Sequence, residues 1–79
     1  MWLNELAIGG KARVTSVVGA DEVSTRLMEM GLTPGATLTV LGAAPLGDPI
    51  ELELRGYRLS IRKSEAARVE VAAIEIPAL

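Results

Sequence analysis

Asp48 and Glu51 lie close enough in sequence to suggest a carboxylate pair, the arrangement that performs general acid and base work on glycosides. The residues around them argue otherwise. Asp48 falls in a Gly47-Asp48-Pro49 turn, where aspartate side chains commonly bond nearby backbone, and Glu51 falls on the outward side of an alternating strand. Met28 and Met30 carry thioether sulfur, but two positions apart on a helix they point to different sides, and Met30 reads as core filler. Gly31, Gly35, Gly42 and Gly47 are too scattered for a phosphate-cradling loop, which needs fixed glycine spacing where a strand enters a helix. They read as turn residues. With neither His nor Cys among the 79 residues, imidazole bases, thiolate nucleophiles, disulfides and zinc–thiolate sites are excluded. No catalytic residue, metal ligand or cofactor is assigned, and the chain is expected not to be an enzyme.

Two features could still bind something. Met28 would lie about 130° round a helix from an inward Val23/Leu27/Met30 face, leaving an apolar side chain toward solvent. Arg55, Arg58, Arg62, Lys63 and Arg68 form a basic cluster in the C-terminal half, with Glu51, Glu53 and Glu70 available to neutralise it. Eight Lys and Arg against ten Asp and Glu leave a net charge of −2, the wrong sign for a nucleic-acid footprint. Trp2 and Tyr57 are the only aromatics, too few for base-stacking platforms or for a groove that docks proline-rich peptides. No apolar run approaches a membrane span, and Asn4 and Glu5 stand where a signal peptide would be basic and then apolar. A cytoplasmic location is expected.

The elements that must position these residues follow from periodicity. Residues 11–18 alternate as a first strand with Ala12 and Val14 on one face, joined more loosely by Ser16 and Val18. Asp21 is an N-cap candidate for a helix through Met30, without a Glu or Gln three residues on to complete a capping box. Gly31 then sits at the C′ position, and Thr33-Pro34-Gly35 has type II turn order. Residues 36–43 form a second strand. Residues 50–61 form a hairpin whose alternation sets one register: Leu54 opposite Tyr57, Leu52 opposite Leu59, Ile50 opposite Ile61 and Glu53 opposite Arg58. Arg55 fits poorly at the first position of its type I′ turn. Residues 63–67 make one helical turn, and Val69 and Val71 open a last strand that Pro77 ends. The expected architecture is mainly β: a small SH3-like barrel of about five strands with one inserted α-helix and a short helical turn before the last strand. Closure would remove exposed strand edges. One domain spans 1–79, with a core of 6–72 and a C-terminal tail of 73–79.

The run RLMEMGLTPG at residues 26–35, followed by APLGDPIELELRGYRLSIRKSEAARVEV ending at Val71, with looser agreement from Leu6 through GKARV, resembles the FeoA family. Met-Gly-Leu-x-Pro-Gly, Gly-Asp-Pro, a Gly-Tyr hairpin turn and Arg-Lys-x-Glu-Ala occur in that order over most of the chain. The resemblance implies an SH3-like barrel, with no catalytic residue, that acts as a small cytosolic partner of the FeoB ferrous iron transporter. It would support Fe²⁺ import by contacting the transporter's cytoplasmic GTP-binding domain. Two other readings compete: a detached regulatory barrel of a DtxR-type iron-dependent repressor, and a general peptide or protein interaction module. The first lacks a helix-turn-helix pattern and His or Cys metal ligands here. Fe²⁺ itself is expected to bind no better than to a generic acidic surface. The expected partner surface is the outer side of the helix and the turn after it, carried by Arg26, Met28, Glu29 and Leu32.

Overall fold

The computed structural model describes residues 1–75. Its strands are β1 (Lys11–Val17), β2 (Thr37–Ala43), β3 (Ile50–Leu54), β4 (Tyr57–Ile61) and β5 (Val69–Glu75). Helix α1 (Glu22–Glu29) separates β1 from β2, the four-residue α2 (Lys63–Ala66) separates β4 from β5, and a 3-10 turn (Leu3–Glu5) precedes β1. The strands form one antiparallel sheet in the order β4-β3-β2-β1-β5.

Alternation decides the hairpin register. Ile50, Leu52 and Leu54 are buried and Glu51 and Glu53 exposed, and all four side-chain pairings expected from the pattern occur. A slip of one residue would turn the whole apolar set of a strand to solvent. Arg55 and Gly56 both adopt positive φ, 52° and 83°, so the turn is type I′ despite its arginine. Tyr57 departs from the pattern: it shares the apolar face but stays 44% exposed, its hydroxyl donating to the Met30 carbonyl at the end of α1.

The core is chiefly leucine and valine. Leu3, Leu27, Leu32, Leu38, Leu52 and Leu54 are almost fully buried with Val14, Ile61 and Val69. Each such side chain is worth about 1.5–3 kcal/mol, a large share of the roughly 5–15 kcal/mol net stability of a domain. Leu3 and Leu6, in and just after the 3-10 turn, are buried members of this core.

Three details differ from the sequence reading. A β-bulge between Val14 and Ser16 shifts the alternation by one, so Val17 packs against the core while Val18 is 50% exposed. A bulge inserts one unpaired residue and so reverses the facing of the residues after it. Next, β5 runs to Glu75, with Ala72 opposite Arg13 and Ala73 opposite Ala12. The ordered sheet therefore passes the 72/73 boundary drawn for the tail; Pro77 lies outside the described residues. Finally, β4 and β5 remain the sheet's two edges. The N-terminus covers part of β5: Trp2 bridges Glu70, and the Val71 N–H donates to the Met1 carbonyl at 2.8 Å.

Candidate functional site

Helix α1 is held at both ends by local bonds. At its start the Asp21 carboxylate accepts the Ser24 N–H at 3.1 Å, and the Ser24 hydroxyl is 3.3 Å from the Asp21 N–H while donating to the Asp21 carbonyl at 2.9 Å. Serine thus closes the reciprocal box in which glutamate or glutamine is usual. At its end Gly31 adopts φ +107°, its N–H donates to the Met28 carbonyl and the Leu32 N–H to the Leu27 carbonyl, at 3.0 and 3.1 Å. These two bonds define a Schellman motif, with Leu32 at C″ and Leu27 at C3. A bond from the Ala36 N–H to the Thr33 carbonyl closes the expected turn, with Gly35 at φ +93°.

This geometry sorts the residues expected to meet a partner. Met28 is 39% exposed on the face turned from the core, flanked by exposed Arg26 and Glu29. Leu32 does not belong with them. It is fully buried, because the C″ residue of a Schellman motif folds back as the apolar contact of C3.

On the other flank of α1, an open cleft of about 340 Å³ is lined by Val23, Arg26, Arg62, Ser64, Glu65 and Arg68. Arg26 and Glu65 form an ion pair across it. Glu65, whose side chain is only 12% exposed, also accepts the Arg62 N–H at 2.8 Å. Arg68 Nη1 donates to both carboxylate oxygens of Asp21, at 2.7 and 2.8 Å. The sequence's basic cluster is thereby divided. Arg62 and Arg68 enter this cleft, whereas Arg55 sits in the hairpin turn and Arg58 stands opposite Glu53.

The bond from Arg68, aided by that from the Ser24 N–H, holds the Asp21 carboxyl below its ordinary value of 3.8. A carboxyl whose pKa folding lowers adds stability above its unfolded value, and loses that contribution as pH falls through the folded value. Asp21→Asn keeps an N-cap acceptor but removes the charge. Its melting temperature should therefore lie below that of the wild type at neutral pH and converge with it in acid; a gap independent of pH would show that the Arg68 pair contributes nothing.

Reading the sequence alone misses Glu65 and misplaces Asp48. The signal for Glu65 is its spacing three residues after Arg62, the reach-back position of a helix start. Asp48 Oδ1 accepts the Lys63 N–H at 3.0 Å, so it caps α2 from a loop fifteen residues away and does not simply close its own turn. Glu51 points outward, which leaves no carboxylate pair between them. Among the described residues, no three His, Cys, Asp or Glu are grouped to hold a metal, and no helix is long and apolar enough to cross a membrane. What the site can offer is an exposed methionine beside charged neighbours and a cleft rich in guanidinium groups.

Comparison with known proteins places this arrangement. A curated fusion protein of Porphyromonas gingivalis, described as an Fe(2+) transport protein A/Fe(2+) transporter FeoB fusion, is 39% identical over 74 residues, 94% of this chain. The chain spans only 9% of that relative's length. The solution structure of FeoA from Chlorobium tepidum is 47% identical, covers 95% of this chain and 71% of its own, and superposes with a TM-score of 0.87. FeoA of Stenotrophomonas maltophilia, described as a prokaryotic SH3 domain protein complexed with zinc, is 33% identical, covering 91% of this chain and 89% of its own with a TM-score of 0.80. A manganese-dependent transcriptional repressor shares the fold at TM-score 0.85 over 36% of its chain, but only 17% of the sequence, a likeness of architecture alone. The FeoA domain model matches residues 1–73, from the 3-10 turn through most of β5, and the chain therefore belongs to the FeoA family, with an SH3-like fold.

Proposed function

We propose that this protein is a non-catalytic accessory factor of ferrous iron uptake, acting on the cytoplasmic side by binding the GTP-binding part of a FeoB-type transporter. One observation carries the reading: in the Porphyromonas gingivalis relative, a region like this chain and a FeoB transporter are one polypeptide. Covalent fusion of two parts is what an intermolecular contact becomes when the effective concentration is raised by a linker. The proposed contact is the outer face of α1, with Met28 as apolar anchor and Arg26 and Glu29 as its polar rim.

The direct test is calorimetry of the purified chain with the cytoplasmic domain of a FeoB-type transporter, with and without guanine nucleotide. Saturable binding is expected, and its absence under every nucleotide condition would refute the reading. Met28→Asp should weaken that binding by roughly 1 to 3 kcal/mol, as loss of an interface anchor does. Its melting temperature should hardly change, since the side chain is 39% exposed and surface substitutions typically lie within about 0.5 kcal/mol. Unaltered binding by a folded Met28→Asp protein would move the contact away from α1.

A further inference from the structure

The α1–α2 cleft has an imbalance that the fold does not use. Three guanidinium groups, from Arg26, Arg62 and Arg68, face one lining carboxylate, Glu65. Counting Asp21 still leaves one cation over. Arg26 engages Glu65 through Nη2 alone, and Arg68 engages Asp21 through Nη1 alone. A guanidinium has five N–H donors in a fixed fork, so each pair holds its arginine in place while leaving donors free. Arg62 has no carboxylate within ion-pair distance among the described residues, and its side chain makes no capping bond. In a chain of net charge −2, this is a local concentration of positive charge around a partly apolar wall, Val23.

We infer that this cleft is an oxyanion-binding site built for carboxylates, and that it receives an acidic segment of the protein partner. This rests on the accessory reading above. Pre-positioned arginines recognise planar carboxylates through two parallel N–H bonds. Phosphate sites instead draw heavily on backbone N–H groups at a helix start, and here most of those are occupied: Arg62 N–H by Glu65, Lys63 N–H by Asp48, and the Glu65 and Ala66 N–H groups by the Arg62 carbonyl. Side-chain donors remain, and their spread over α1, the N-cap of α2 and the turn before β5 suits several carboxylates along an extended segment. Arg26 belongs to both the cleft and the α1 face, so the two surfaces are continuous.

The test is a titration of the full chain with a hexaglutamate peptide, followed by NMR of backbone amides and arginine Nε–H groups, with inorganic phosphate as a second arm. Shifts should concentrate at Val23, Arg26, Arg62, Ser64 and Arg68, and should vanish in about 1 M salt, where the Debye length is about 3 Å. Arg62→Glu should weaken peptide binding by about tenfold with an unchanged melting temperature. Phosphate binding more tightly than the peptide at the same residues, or shifts elsewhere, or none, would overturn the assignment. The same variant separates this inference from the reading it rests on. If the wild type binds the transporter domain and Arg62→Glu binds equally well, the cleft assignment fails and the accessory role stands. If the wild type does not bind that domain, the accessory role fails, and the peptide titration alone decides whether the cleft takes carboxylates.

Discussion

Replacing Gly31 by valine is expected to lower stability by about 3 kcal/mol, read as a drop in melting temperature of about 12 to 24 °C for a domain of this size. Two independent effects add. At φ +107° an L-residue is strained by roughly 1–3 kcal/mol, and a β-branched one has the least freedom to relax. A Cβ at this position would also stand 2.5 Å from the Tyr57 hydroxyl oxygen and 2.8 Å from Leu54 Cδ2. Crowding of that kind typically costs another 1–3 kcal/mol. The Tyr57 hydroxyl donates to the Met30 carbonyl, so moving it aside also exposes an unpaired carbonyl at the helix end. Combining Gly31→Ala with Tyr57→Phe distinguishes the effects, because removing the hydroxyl relieves part of the crowding and none of the backbone strain. Gly31→Ala should therefore lower the melting temperature less in the Tyr57→Phe background than in the wild type. A melting temperature for Gly31→Val within a degree or two of the wild type would show that the Schellman motif does not end α1.

The second large effect is expected at Leu32. Leu32→Ala should destabilise by about 2–5 kcal/mol, the range for truncating a buried leucine, because the side chain is fully buried and shares the core with Leu27 and Leu54. In denaturant the midpoint should fall without a change in slope, the behaviour of a lost core contact in a two-state domain. Partner binding, measured well below the melting temperature, should remain close to wild type. Met28→Asp is expected to show the opposite pattern, with binding lost and stability kept. The contrast tests the division of the α1 turn into an inner and an outer side. A stable Leu32→Ala protein that had lost its partner would return Leu32 to the surface.

Much of the fold is legible in the sequence because it is governed by rules of short range. Strict alternation from Ile50 to Ile61 determines the β3–β4 register, since any slip exposes an entire apolar face. Asp21, Gly31 and the Thr33-Pro34-Gly35 turn announce the limits of α1, because a cap or a positive φ depends on neighbours within a few residues. The absence of His and Cys removes whole classes of chemistry before any folding is considered. The motif order from Arg26 to Val71 points to the FeoA family.

Only the tertiary structure decides contacts between residues far apart in the chain and departures from a regular period. The bulge after Val14 inverts the expected roles of Val17 and Val18, and nothing in those residue types distinguishes the two valines. Leu32 follows a glycine in a turn and looks like a surface residue until the Schellman bonds fold it onto Leu27. Asp48 reaches Lys63, Arg26 reaches Glu65 and Arg68 reaches Asp21, each across a separation that no local pattern encodes. Long charged side chains choose partners by proximity in the folded state, and that proximity is set by the sheet order β4-β3-β2-β1-β5. A basic cluster grouped between residues 55 and 68 is therefore divided in space, and Arg26 from α1 joins Arg62 and Arg68 in the cleft.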